Sequence, residues 1–368
     1  MDRPVHGGNL PWAAQMASCS PDELLDFSAS ISPLGPPVSV KQAIQAAFSY
    51  VAAYPDPAYA DLREAIASHH AIPSHCVLAG NGAAELLTWA ARDLADLPGP
   101  TFQLVPGFSD YARALSAFGG ECSPVSLQLD EGWRFKGWKD NLSGDIPLNR
   151  CGFLLNNPHN PTGALFSREQ VRSLISKFAL VIVDEAFMDF LPPECEQSVI
   201  EWVSEFDNLV VIRSLTKFYS MPGIRLGYAI AQPKTLARWQ SWRDAWTVNT
   251  FAAAAGIAAL QDIEFQQKTW QWLTAENAFL FQKLSALPGL EPLPSCANFF
   301  LVETQCSATA LQAQLLRQHQ IYIRDCISFS ELGDRYFRVA VKSRADNQRL
   351  LQALADVLPT LVEVSCAG

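Results

Sequence analysis

A chain of 368 residues is long enough for two or three domains and a large buried core. Hydrophobic residues make up 49% and charged residues 17%, which excludes a disordered or fibrous protein. With 27 Lys plus Arg against 37 Asp plus Glu the net charge is −10, so no nucleic-acid backbone is expected as a partner and only local basic pockets are left open.

Taken in chain order, residues 1–10 carry Asp2, His6 and two glycines without an apolar core segment, unlike a secretory signal. The first 45 residues lack any strand–helix rhythm and are expected to form an N-terminal arm (1–45) packed on a small domain and an active site. From residue 46 to 262 apolar runs alternate with helical patterns. Residues 75–79 are apolar, then Gly80-Asn81-Gly82 opens a helix-like stretch over 83–97. Residues 152–155 form another apolar run, broken by Asn156-Asn157-Pro158-His159-Asn160-Pro161-Thr162-Gly163, after which Ser167 is a good helix N-cap. The run 178–183 ends in Asp184-Glu185, and 208–212 ends in Arg213-Ser214-Leu215-Thr216-Lys217. This alternation predicts a large α/β domain over 46–262 with a mostly parallel central sheet. A long helix over 264–287 follows, then Pro288, Pro292 and Pro294, then short strands at 298–302, 321–324 and 336–341. They predict a smaller α+β C-terminal domain over 263–368.

The longest apolar stretches, 178–183 and 251–260, are too short to span a bilayer, so a soluble, cytoplasmic protein with no membrane partner is expected. The nine cysteines are odd in number and form no C-x-x-C pair, which predicts reduced thiols. No metal-ligand spacing is present among them or the six histidines, and no metal is expected.

Ligands of open α/β sheets bind beyond the carboxyl ends of the strands. Gly82 and Ala83 offer backbone N–H groups at a helix start, suited to a phosphate, although Gly-Asn-Gly alone also reads as a tight turn. Asp184 puts a carboxylate at the edge of a low-dielectric core, where an isolated acid also reads as a cap or ion-pair partner. Lys217 follows a buried strand, with Ser214 before it and Arg225 after it. A lysine there loses its proton more readily and forms Schiff bases, whereas alone it reads as a loop lysine. All these groups fall at strand ends where one ligand would meet them.

Four motifs in register, Asn160-Pro161-Thr162-Gly163, Asp184-Glu185-Ala186-Phe187, Ser214-Leu215-Thr216-Lys217 and Gly223-Ile224-Arg225-Leu226-Gly227-Tyr228, resemble the aspartate-aminotransferase superfamily of fold-type I pyridoxal-phosphate enzymes. Further segments, among them His6-Gly7-Gly8-Asn9, Asp26-Phe27-Ser28-Ala29, Ile323-Arg324 and Tyr336-Phe337-Arg338-Val339-Ala340, are most similar to the threonine-phosphate decarboxylase group of cobalamin biosynthesis. Histidinol-phosphate aminotransferases come next. The resemblance implies pyridoxal 5′-phosphate as cofactor and Lys217 as the catalytic lysine that carries it. It implies that Asp184 faces the pyridine nitrogen, Asn160 the 3′ oxygen and substrate, and Phe108 the ring face. Gly82, Ala83, Ser214 and Arg225 would hold the cofactor phosphate, with Tyr54 reaching it from the partner subunit of a homodimer with shared active sites. For a small phosphorylated amino-acid substrate it implies Arg338 on the carboxylate, with Arg324 and His6 on the phosphate. The arm containing Gly7 would fold over it. Ser30 stands where the group commonly has Asn, and Phe187 where many aminotransferases have Tyr. Both decarboxylation and transamination use these residues, and only the bond held perpendicular to the cofactor differs.

Overall fold

The structure, a computed structural model, describes residues 3–127, 146–329 and 331–366. The chain forms two compact units, one made of Leu34–Asn160 and Leu165–Thr269, the other of Met1–Pro33, Pro161–Ala164 and Trp270–Gly368.

The larger unit holds a seven-stranded sheet in the order Val77–Gly80, Gly227–Ala231, Leu209–Ser214, Leu180–Asp184, Gly152–Asn156, Thr101–Val105, Cys122–Ser126. Gly227–Ala231 runs antiparallel to both its neighbours, and the other strands are parallel to one another. The central strands are apolar runs without alternation because both faces are covered; every residue of Leu180–Asp184 and Leu209–Ser214 is buried. On one face the helix Ala83–Ala95 packs Leu86, Ala90 and Leu94 with Leu154, Ile182, Val210 and Ile212. Three strands, Thr101–Val105, Cys122–Ser126 and Gly227–Ala231, escape the periodicity reading. The last, Gly-Tyr-Ala-Ile-Ala, is too rich in small residues to carry a strand signal.

The boundaries of the units differ from those suggested by the sequence rhythm at two places. The helix Val38–Ala47, assigned in part to the arm, belongs to the larger unit: it packs on the helix Thr250–Gln261, and Ser39 Oγ donates to Asp262 Oδ2 at 2.6 Å. The first turns of the long helix Ile263–Ser285 also count with the larger unit. There Phe265 stacks against Tyr219 and Gln266 donates to the Leu260 carbonyl.

In the smaller unit a four-stranded antiparallel sheet runs Arg324–Asp325, Tyr336–Ala340, Phe299–Thr304, Leu290–Pro292. The strand expected at 321–324 is two strands. Ile321–Tyr322 pairs in parallel with Leu25–Asp26, and the chain then crosses at Ile323 to the four-stranded sheet. N-terminal residues are therefore built into this unit: the helix Leu10–Ala17 buries Ala13 and Ala17 against Leu316 and Tyr322. No helix among the described residues is long and apolar enough to cross a membrane.

Candidate active site

In the larger unit the carboxyl ends of the parallel strands carry the predicted chemistry. Asp184 closes its strand and is 4% exposed. Its Oδ2 accepts from the Tyr111 hydroxyl at 2.6 Å and its Oδ1 from the Ala186 N–H at 3.1 Å. Burial raises its carboxyl above the ordinary range, and the Tyr111 hydroxyl, the Lys217 charge and the Ala186 N–H each pull it back. Tyr111, absent from the sequence-based set, lies three residues past Phe108, and the two rings meet edge-to-face with centroids 5.4 Å apart. The helical repeat after Phe108 was the available signal.

Asn156 is a second residue that sequence reasoning passed over. It sits opposite Asp184 on the adjacent parallel strand, donates Nδ2 to the Asp184 carbonyl at 2.8 Å, and accepts the Asn160 N–H at 2.7 Å. It thereby fixes the turn that presents Asn160, itself 9% exposed. In the same turn His159 is buried, which pushes its pKa down to about 3, so it is neutral and no proton carrier near pH 7.

Lys217 follows Leu209–Ser214, and its Nζ lies 4.8 Å from the centroid of the Phe187 ring. Beneath it, Arg213 is fully buried, donating Nε to Glu185 at 2.9 Å and bonding Asp189 and Glu196. This ion group ties together the two strand ends that carry Asp184 and Ser214.

The expected anion cradle is assembled around Gly227. Ser214 and Gly80 are both register partners of Gly227, and a Cβ there would come 2.6 Å from the Ala83 nitrogen. Gly82 has φ +79° and caps the 13-residue helix Ala83–Ala95, leaving its first N–H groups open. A Cβ on Gly82 would stand 2.8 Å from an Arg225 guanidinium nitrogen, so only glycine leaves this concavity open. Helix N–H groups, the Ser214 hydroxyl and a guanidinium form a donor set suited to a phosphate monoester. Beside it stand a buried carboxylate, an amine and an aromatic ring. These groups fit pyridoxal phosphate. Tyr54 is different: it is 80% exposed and stacks on Trp246 with centroids 4.5 Å apart.

In the smaller unit, Arg324 and Arg338 are direct cross-strand partners. Arg324 is buried at 4% exposure and donates to Ser328 Oγ at 2.6 Å and to the Pro4 and Val5 carbonyls. Arg338 lies over the Phe299 ring at 4.8 Å and donates to the Ser28 carbonyl at 3.4 Å. Burial first, and Arg324 as the neighbouring cation, pull its pKa down to about 10, so it remains charged at neutral pH. Two residues beyond Ser28, Ser30 Oγ is buried without a hydrogen-bond partner. In the N-terminal segment His6 is exposed. Gly7 packs so tightly that a Cβ would lie 2.4 Å from the Ser28 oxygen.

Residues 22–354 match the model of the aminotransferase class I and II family. The chain is 41% identical over 359 residues to the threonine-phosphate decarboxylase of Salmonella typhimurium, covering 96% of each chain. It is 29% identical over 97% of its length to the adenosylcobalamin biosynthesis bifunctional protein of Leptospira interrogans, covering 41% of that protein. The crystal structure of histidinol-phosphate aminotransferase from Clostridium acetobutylicum superposes with a TM-score of 0.83 at 28% identity, covering 92% of this chain and all of that one. Fold and sequence agree: the chain belongs to the class I and II aminotransferase family, with its fold-type I architecture and its pyridoxal-phosphate cofactor.

Proposed function

We propose that the protein decarboxylates L-threonine O-3-phosphate to (R)-1-amino-2-propanol O-2-phosphate and carbon dioxide, a step of cobalamin biosynthesis. The observation that carries this reading is the Arg324–Arg338 register pair in a chain 41% identical to a threonine-phosphate decarboxylase. Like charges directly opposite on adjacent strands repel, and an anion lowers that cost. A phosphorylated amino acid brings two anionic ends to two guanidinium groups.

In this reading Arg338 grips the carboxylate and fixes its angle, while Arg324 and His6 hold the phosphate. Ser30 offers its unpartnered hydroxyl to the substrate, and Gly7 lets the arm lie close. Lys217 Nζ carries the cofactor; Gly82, Ala83, Ser214 and Arg225 hold its phosphate. With pyridoxal phosphate bound, Asp184 would hold a negative charge for its pyridine nitrogen, Asn160 would donate to its 3′ oxygen, and Phe108 would cover its ring. Pyridoxal phosphate supplies the electron sink that accepts the pair from the Cα–carboxylate bond. Carbon dioxide leaves, and Lys217 Nζ delivers the proton that Cα takes in its place. Carbon dioxide release from threonine phosphate, assayed beside keto-acid-dependent turnover of histidinol phosphate, tests the assignment. Turnover of histidinol phosphate alone would replace decarboxylation by transamination.

The Tyr111 contact bears on the same chemistry. Tyr111→Phe removes the first of the influences that pull the Asp184 carboxyl pKa down, so that raised pKa moves further up. Cofactor affinity is expected to fall about tenfold, and more steeply as the pH is lowered toward that pKa. Equilibrium dialysis at several pH values measures it, and an affinity equal to wild type at every pH would remove Tyr111 from this role.

The protein acts as a homodimer with shared sites. Phe48, Tyr50, Val51 and Tyr54 are between 62% and 80% exposed in one short segment, with Trp246 stacked on Tyr54, an apolar surface that a second copy covers. Tyr54 then serves the partner's cofactor phosphate. Mixing inactive Tyr54→Ala and Lys217→Ala subunits is expected to restore roughly a quarter of wild-type activity, because half the dimers are hybrids and each holds one intact site. Proven subunit exchange without recovered activity would refute the shared site. The eight cysteines from Cys19 to Cys326 are free, which suits the reducing cytoplasm.

A further inference from the structure

The N-terminal segment is held by an arginine that the proposed reaction does not use. Arg3 donates Nε to Asp325 Oδ2 at 3.1 Å, one terminal nitrogen to Thr309 Oγ1 at 3.1 Å, and the other to Gln312 Oε1 at 3.2 Å. The receptor is prebuilt. Asp325 and Gln312 are both 2% exposed. The Gln312 amide nitrogen donates to the Ile323 carbonyl at 2.8 Å, which turns its oxygen toward Arg3. Thr309 gives its own hydroxyl proton to Asp334, leaving lone pairs for the guanidinium.

The strand residue next to Asp325 is Arg324. Successive strand residues point to opposite faces, so this short strand grips the arm twice. Asp325 takes the Arg3 side chain, and Arg324 takes the Pro4 and Val5 carbonyls. Pro4 fixes its own φ and biases Arg3 to an extended backbone, which lowers the entropy lost on docking. A second anchor follows at Gly8, which has φ +78° and donates its N–H to Ser28 Oγ at 2.8 Å. His6 lies between the two anchors and is exposed.

We propose that Arg3 is a positioning residue: it latches the N-terminal arm onto Asp325, and so holds His6 and the surroundings of Arg324 in the form that selects a phosphorylated substrate. This rests on the assignment of Arg324 and His6 to the substrate phosphate. Two physical effects act together. The latch pays the ordering entropy of the arm before substrate arrives. It also neutralises Asp325; without Arg3 a buried carboxylate would stand uncompensated beside the phosphate-binding guanidinium and oppose the anion.

Two measurements on the cofactor-loaded enzyme test this. The first is hydrogen exchange of residues 4–10, with and without inorganic phosphate, and it needs no turnover. Arg3→Ala is expected to speed exchange about tenfold, and phosphate to slow it less than in wild type. The second is the kinetic split. Arg3→Ala is expected to raise KM for threonine phosphate about tenfold with kcat within about twofold, leaving kcat/KM for unphosphorylated threonine unchanged. Arg3→Lys, which keeps the charge facing Asp325, should recover most of the KM.

Unchanged exchange in Arg3→Ala overturns the latch whatever the substrate proves to be. Equal losses on threonine phosphate and threonine overturn the selectivity role, since a merely structural residue would damage both alike. If the enzyme turns over neither compound while exchange still responds to Arg3, the fault lies with the decarboxylase reading and the latch stands.

Discussion

Lys217→Ala is expected to lower turnover by on the order of 10⁴-fold and to leave no cofactor that borohydride fixes to the chain. The wild-type protein should be yellow, and reduction should attach the cofactor to one peptide containing Lys217. The geometry behind this is specific. Lys217 sits just past a wholly buried strand, its Nζ over the Phe187 ring, and its charge is one of the influences that keep Asp184 ionised. In the proposed reaction this one amine would serve three needs: carrying the cofactor, balancing the buried acid, and returning a proton to the substrate. Lys217→Arg keeps the charge and loses the nucleophile. It should retain the fold and bound cofactor while losing turnover to a similar extent, which separates chemistry from electrostatic support. A Lys217→Ala protein that still held covalently reducible cofactor would overturn the assignment.

The strand-end chemistry was legible in the sequence because strands buried on both faces show as unbroken apolar runs, and the first polar residue after each run marks the sheet's carboxyl edge. Asp184 is the first polar residue after its run, and Ser214 and Lys217 lie in the short segment that opens with Arg213 after the run 208–212. What escaped depends on contacts between distant segments. Tyr111 supports Asp184 across 73 residues of chain, and Asn156 reads in sequence as one more turn asparagine. Arg213 looks like part of a lysine motif, yet it is fully buried against carboxylates contributed by another segment. The small residues of Gly227–Ala231 hide a strand whose lack of bulk is what lets the phosphate cradle approach it. The N-terminal arm hid its strand pairing for a related reason. Its strand is only Leu25–Asp26 and its partner Ile321–Tyr322 lies almost 300 residues away, too short and too distant for periodicity to register.

Arg324→Ala is expected to reduce kcat/KM for threonine phosphate by about ten- to a hundredfold and to erase most of the preference over threonine, the loss of one charge-assisted contact to the substrate. Arg338→Ala should damage turnover of both substrates alike, because both present the same carboxylate. The register makes the pair more than two independent contacts. The two arginines are register partners on neighbouring strands, and the Arg324 charge helps lower the Arg338 pKa to about 10. Removing Arg324 therefore lets that pKa rise toward its ordinary value, and it also takes away the repulsion that a bound anion relieves, so part of what binding gains at Arg338 is lost with it. The two losses should combine to less than their sum in a double-mutant cycle on threonine phosphate. On unphosphorylated threonine, Arg324→Ala should cost little, since only the relieved repulsion and no phosphate contact is lost. The pH response follows from the same pair of charges. Wild-type carboxylate binding weakens as the pH rises past about 10, where Arg338 loses its proton, and in Arg324→Ala that fall moves to higher pH. An Arg324→Ala enzyme that kept its preference for the phosphorylated substrate would place the phosphate pocket elsewhere and remove the main support for the decarboxylase reading.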